Sequence, residues 1–270
     1  MFIDKCLSIK SKGFTLIELI SVLVILSLIA AVGSRFLITA VNAYQQTQTR
    51  TKMIGKGRAA IEQMSRQLRG AVPNSLRVSP SGRCVEFLPT VAGALYTDDV
   101  ADESNMAAGK DAITTSAFSL GLGAPAYIVI GAYASSEIYT ASSPSARVNL
   151  SSSLTGGGPF TSVSLSSSHI FKRNSVRKRL FIAGTPRRFC VVVDELRMYS
   201  NYDLSTSTIT DVNPDGDSAL MATDVASNDI VFSLSTGSLD RNTAIDIALQ
   251  FSENNTLLTL NQQVLLRNVP

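Results

Sequence analysis

The 270-residue chain contains no Trp, a single His and only three Cys, and 17% of its residues are charged. One His cannot form a histidine pair, and three Cys, none in a CxxC pair, exclude a zinc ribbon and a disulfide-dense miniature domain. Basic and acidic side chains nearly balance at 24 against 21, a formal charge of +3. That lacks the strongly cationic footprint of a nucleic-acid binder, so no nucleic acid is expected as a partner. GxSxG, HExxH and Walker loops are absent, Gly121-Leu122-Gly123 reads as a loop, and His169 as a loop or strand-edge residue, so no enzyme is expected. Proline is missing before Pro73. What the chain has is apolar content, 45% of its residues, enough for a sizeable core and incompatible with disorder.

The apolar content is concentrated at the amino terminus. Between Phe14 and Ser34 the only ionisable side chain is Glu18. A helix over 14–34, at about 1.5 Å per residue, spans the roughly 30 Å of a bilayer's hydrocarbon layer. Lys5, Lys10 and Lys12 precede this run, which keeps the leading end cytoplasmic and sends the rest of the chain across the membrane. A secretory signal carries its cleavage site after the apolar stretch; here the small residue, Gly13, comes before it, so cleavage would leave the helix on the mature chain. An acid within a membrane helix costs about 2.5–3.5 kcal/mol, so Glu18 needs a partner or a place near the interface. Cutting after Gly13 would create an α-amine at Phe14, four residues away, on the same chain or on a neighbour.

Lys12-Gly13-Phe14-Thr15-Leu16-Ile17-Glu18-Leu19-Ile20 resembles the type IV prepilin processing motif. The resemblance implies a peptidase that cuts after Gly13, N-methylation of Phe14, and a Glu18 that sets the register between subunits during assembly. It divides the chain into a leader (1–13), a transmembrane helix (14–34), a stem helix packing on the globular domain (35–71) and a β-rich periplasmic or extracellular domain (72–270). It implies as partners other major and minor pilins, a prepilin peptidase, an inner-membrane assembly platform and the lipid bilayer, and a path from inner membrane to surface pilus. Many major pilins carry a proline further along the helix, where this chain has Arg35; with the large size this points to a minor pilin or a pseudopilin. Gln67-Leu68-Arg69-Gly70-Ala71-Val72-Pro73-Asn74-Ser75, Cys84-Val85-Glu86-Phe87-Leu88-Pro89 and Leu266-Arg267-Asn268-Val269-Pro270 are similar to MshO-type minor pilins of the mannose-sensitive haemagglutinin pilus. They are also similar to J-component pseudopilins of type II secretion. A tip or priming role in assembly follows from the first likeness, with a secretion pseudopilin or a tip adhesin as alternatives.

Without proline, the helix is expected to continue to Gly70, where Gly70 and Pro73 end it. Ile54, Ile61, Met64 and Leu68 form an apolar stripe for packing on a domain, with Arg58, Glu62, Arg66 and Arg69 facing away. Gly55 and Gly57 each weaken a helix by about 1 kcal/mol relative to Ala and predict a bend. Beyond Pro73 the pattern alternates. Strands are predicted at Val85–Leu88, Tyr127–Ile130, Arg179–Ile182, Cys190–Val193, Ile230–Leu234, Ala244–Phe251 and Leu257–Leu266. The Ser/Gly-rich stretch from Ala134 to Ser168 predicts an exposed insertion or extended hairpin loop. The fold class is α+β and pilin-like, a long N-terminal helix on an antiparallel β-rich domain.

Loss of Cys6 with the leader leaves Cys84 and Cys190 as an even pair in a disulfide-permissive compartment, and a bridge is expected; the alternative is two separate buried thiols. Asp211, Asn213, Asp215 and Asp217 repeat oxygen ligands at every second position beside Gly216, a candidate calcium loop, although Ala222 stands where an EF-hand has its bidentate Glu. An Asx/Pro/Gly turn explains the same residues, and no other cofactor is expected. Lys172, Arg173, Arg177, Lys178, Arg179, Arg187 and Arg188 form a basic concentration that reads first as solvated strand faces and loops, with an acidic neighbour subunit, a glycan or DNA as alternatives.

Overall fold

The computed structural model describes residues 13–105, 107–140, 142–151, 154, 158–204, 208–226, 230–235 and 243–266. The leader ahead of Gly13 with Cys6, Ser152, Ser153, Gly156, Gly157 and the closing 267–270 lie outside these residues. Two compact units are formed, Met1–Arg50 and Thr51–Pro270.

Helix α1 runs from Leu16 to Arg69. Thr15 caps it: the Glu18 backbone N–H donates to Thr15 Oγ1 at 3.3 Å, the Thr-x-x-Glu spacing of a capping box. Along the apolar stretch Ser21, Ser27 and Ser34 donate their hydroxyls to carbonyls three residues back, so these polar groups are satisfied within the helix. The helix ends before Gly70, whose N–H turns back to the Gln67 carbonyl, and Arg66 and Arg69 in the last turn complement the dipole.

In the second unit, the helix from Thr51 onward presents Met53, Ala60, Met64 and Leu68 to the core, with Ile61 partly buried. Each of the large side chains contributes about 1.5–3 kcal/mol by leaving water. Met53 rather than Ile54 begins the stripe; Ile54 is only half-buried, because 3.6-residue periodicity back from Met64 and Ala60 lands on Gly57 and Met53. Helical structure is unbroken through Gly55 and Gly57. Gly57 is a point of contact: a Cβ there would run into Leu260 Cδ1 and stand 2.8 Å from Phe251 Cε2, whereas at Gly55 it would meet nothing within 4 Å.

The strands are β1 (Arg77–Val78), β2 (Cys84–Phe87), β3 (Thr90–Leu95), β4 (Lys110–Phe118), β5 (Tyr127–Val129), β6 (Arg147–Asn149), β7 (Phe160–His169), β8 (Arg179–Ala183), β9 (Arg187–Val192), β10 (Glu195–Ser200), β11 (Asp217–Thr223), β12 (Phe232–Ser235), β13 (Thr243–Glu253) and β14 (Thr256–Leu266). A short helix, α2 (Ser135–Tyr139), precedes β6. They form antiparallel sheets in the orders β1–β2–β9–β10–β11, β3–β8–β5–β6, β12–β13–β14 and β4–β7. The first and third close around the helix: Val85, Phe87, Phe189 and Val191 meet Ile245, Ile247, Leu249 and Phe251 in one core with Met53, Met64 and Leu68. A second core, including Ile113, Ile128, Val163, Leu165 and Ile182, lies under β3–β8–β5–β6 and β4–β7.

The Ser/Gly-rich stretch does not form the expected exposed loop. It supplies α2, β6 and β7, and Ile138, Ala146, Val148, Val163 and Leu165 from it are buried. Its few apolar residues fall at alternate positions, so even a serine-rich strand has one apolar face. β1, β3, β4, β10 and β11 likewise have no counterpart among the predicted strands.

Candidate functional site

Gly13, Phe14 and Thr15 precede the first turn of α1 without regular structure, and all are exposed. Phe14 is 75% exposed, and nothing lies within 4 Å of a Cβ placed on Gly13. The backbone at the Gly13–Phe14 bond is thus open to the surroundings. Glu18 sits in the first helical turn, where the dipole favours a carboxylate, and has no ion-pair partner among the described residues. Every large apolar side chain from Phe14 to Tyr44 is exposed, from 43% at Val22 to 78% at Leu16. Such a surface requires lipid or other apolar helices around it. This is the one helix among the described residues long and apolar enough to cross a membrane.

Cys84 and Cys190 are joined, directly opposite one another on β2 and β9. Val191 N–H donates to the Arg83 carbonyl, which makes Cys84 and Cys190 a close, non-hydrogen-bonded pair of the ladder; their Cα atoms are 4.2 Å apart. The same register sets Glu86 opposite Arg188, on the face away from the stem. Glu86 is 1% exposed and accepts from Arg77 Nε at 2.8 Å, Arg188 Nη2 at 2.6 Å and Tyr202 Oη at 2.8 Å. Arg77 also lies 3.6 Å over the Tyr139 ring, and Arg188 Nη1 donates to the Thr210 and Val212 carbonyls. Burial, with the Glu86 charge beside them, pushes the Tyr139 and Tyr202 phenols upward, so both stay neutral donors. This cluster ties Tyr202, Thr210 and Val212 onto β1–β2–β9. It is not among the sequence-predicted sites, though one signal for it exists: once Cys84 is paired with Cys190 in an antiparallel ladder, residues two steps inward must be Glu86 and Arg188.

Two of the four candidate calcium ligands, Asp211 and Asp217, are engaged by separate side chains. Asp211 accepts from Ser81 Oγ at 2.7 Å and pairs with Arg83 at 3.6 Å, while Asp217, at the start of β11, accepts from Asn201 Nδ2. Burial opposes ionisation of Asp211, but the Ser79, Ser81 and Arg83 contacts outweigh it and hold its carboxyl below the usual range. Asn213 and Asp215 line an open cleft of about 400 Å³ beside Glu86 and Tyr202. Among the described residues no three His, Cys, Asp or Glu side chains converge as metal ligands.

Most of the basic concentration is used internally. Lys172 pairs with Glu103, Arg173 with Glu137, Lys178 with Asp99 and Arg188 with Glu86, and Arg187 donates to Gln67. His169 is buried at the end of β7, with Nε2 3.1 Å from the Ser145 carbonyl and its ring edge-on to Phe171.

Residues 9–34 match the prokaryotic N-terminal methylation motif, which spans the Gly13–Phe14 bond, Glu18 and the apolar helix. The motif, the exposed apolar helix and the antiparallel β-rich domain support a type IV pilin-like protein, a class that is generally structural, and fit a membrane-anchored one. The motif implies processing by a prepilin peptidase and association with other pilins. No curated protein and no solved structure matches the chain.

Proposed function

We propose that this chain is a minor pilin that primes or caps assembly of a pilus of the mannose-sensitive haemagglutinin type. It is inserted with its leader in the cytoplasm and the Thr51–Pro270 unit in the periplasm, cut after Gly13 and methylated at Phe14. The observation that carries the reading is the juxtaposition of the methylation motif with a run of large apolar side chains, all exposed from Phe14 to Tyr44. In lipid that surface is satisfied; in a filament, neighbouring helices replace the lipid. The lone carboxylate of Glu18 then finds the Phe14 amine of an adjacent subunit, which fixes the axial register because an unpaired charge there costs several kcal/mol.

Two measurements test this. Mass spectrometry of native protein should find a chain beginning with N-methylated Phe14; a retained leader overturns the reading. Glu18→Ala should leave membrane insertion intact while reducing recovery in sheared filaments by at least about tenfold, since removing the acid eases insertion but abolishes registration. Wild-type recovery of that variant would refute charge-paired registration. Deletion of the gene should abolish surface pili; loss of a secreted protein with pili intact would identify a secretion pseudopilin instead.

A further inference from the structure

Among the described residues the β12–β13–β14 sheet ends on β14, and that strand carries few of the usual protections of an edge. Edge strands of soluble domains are commonly kept from pairing by Lys, Pro, inward charge, a bulge or short length. β14 is 11 residues long, contains no charged residue and no proline, and pairs with β13 without a register shift. Ser252 N–H bonds to the Asp224 carbonyl and Ala248 N–H to the Val231 carbonyl, so the even-numbered residues of β13 turn away from β14. The odd-numbered ones face β14, and through the register Leu257, Thr259, Asn261, Gln263 and Leu265 point their own N–H and C=O groups outward. Among the described residues only the Gln263 carbonyl of this set has a hydrogen-bond partner, the side-chain amide of Gln262. Leu257 and Leu265 are 59% and 58% exposed.

A second feature lies beside this edge. Between β14 and the stem is an open groove of about 740 Å³, into which Arg58, Arg66 and Arg69 project from the helix against a single acid, Glu62. Glu62 lies 3.9 Å from Arg66; Arg58 and Arg69 have no ion pair among the described residues. On the same wall Ser65 is 7% exposed, with its Oγ buried and without a hydrogen-bond partner among the described residues. A strand added to β14 would direct alternate side chains into this groove. Two copies of this chain joined edge to edge would bring their arginines together, whereas an acidic strand would match them.

We infer that the outer edge of β14 is completed by an extended, acidic segment of a different protein. The segment adds as a fourth strand to the sheet, with the carboxylates of one face among Arg58, Arg66 and Arg69. Main-chain bonds to the five outward residues hold it, and the arginines select its charge. The inference does not depend on whether the assembly is a pilus.

The test uses the full chain in detergent micelles and two synthetic peptides as long as β14, one alternating Thr and Glu, the other Thr and Lys. The Thr–Glu peptide should bind about tenfold or more tightly than the Thr–Lys peptide. It should also slow hydrogen exchange at the amides of Leu257, Thr259, Asn261, Gln263 and Leu265. Arg58→Glu/Arg66→Glu should reverse the preference. Asn261→Pro, which removes an outward N–H and no bond to β13, should abolish binding while near-ultraviolet circular dichroism stays unchanged. Equal affinity for both peptides, binding without protection of those amides, or self-association of the chain that Asn261→Pro abolishes would each overturn the inference.

Discussion

At the scale of single residues, the most exacting position is Glu86. It is one carboxylate between two guanidinium groups and a phenol, and none of the three ions reaches water easily. Removing its charge leaves Arg77 and Arg188 facing each other in a desolvated site. Glu86→Gln, which preserves shape, should therefore lower the unfolding free energy by about 3–5 kcal/mol, the range for breaking a buried ion pair from one side. Chemical denaturation measures this; a loss below about 1 kcal/mol would mean that the arginines find water. His169 supplies a pH dependence. Burial, assisted by the nearby Arg147 charge and opposed only by the Ser145 carbonyl, lowers its pKa from the ordinary 6.5. The unfolded chain takes up this proton first as the pH falls, so stability is full above about pH 7 and declines below 6.5. Denaturation midpoints across that window should fall for the wild type, and His169→Gln, which keeps a donor for Ser145, should flatten the slope.

At the scale of elements, the stem and the β13–β14 hairpin meet where both backbones allow it. The hairpin turns at Asn254 and Asn255, both with positive φ as a two-residue turn requires, and Gly57 leaves room on the helix for Phe251 and Leu260. Two substitutions that propensity scales treat as equivalent should then differ in sign. Gly55→Ala gains helix propensity in open space and should stabilise by about 0.5–1 kcal/mol. Gly57→Ala gains the same propensity but drives a methyl into the Phe251 ring and should destabilise by about 1–2 kcal/mol net. Thermal melts of the two variants decide it; stabilisation by both would show that the hairpin yields. Glycine in the sequence signals weakness in a helix, and only the packing distinguishes a weak point from a close approach.

At the scale of the whole molecule, the Cys84–Cys190 bond closes a loop of 106 residues that contains β3 to β8 and the second core. In the chain-entropy account, closure of this length contributes about 4–5 kcal/mol. Cys84→Ser with Cys190→Ser should lose a large part of that, seen as a lower denaturation midpoint, while the wild type measured with reductant should approach the double variant. Thiol labelling of both cysteines in oxidised protein would refute the bond. The apolar helix through Phe14–Ser34, the methylation motif around Gly13 and Phe14 and the strands around Val85, Ile182, Cys190, Ile247 and Leu258 were legible in the sequence. Lipid selects consecutive apolar residues and a sheet face selects alternate ones, and both patterns run along the chain. The joining of Arg77 and Tyr202 to the Glu86–Arg188 pair, the role of Gly57, the burial of Val163 and Leu165 within a serine-rich stretch and the open edge of β14 were decided by tertiary structure. Each is defined by residues tens to more than a hundred positions apart, and a one-dimensional pattern carries no record of which faces meet.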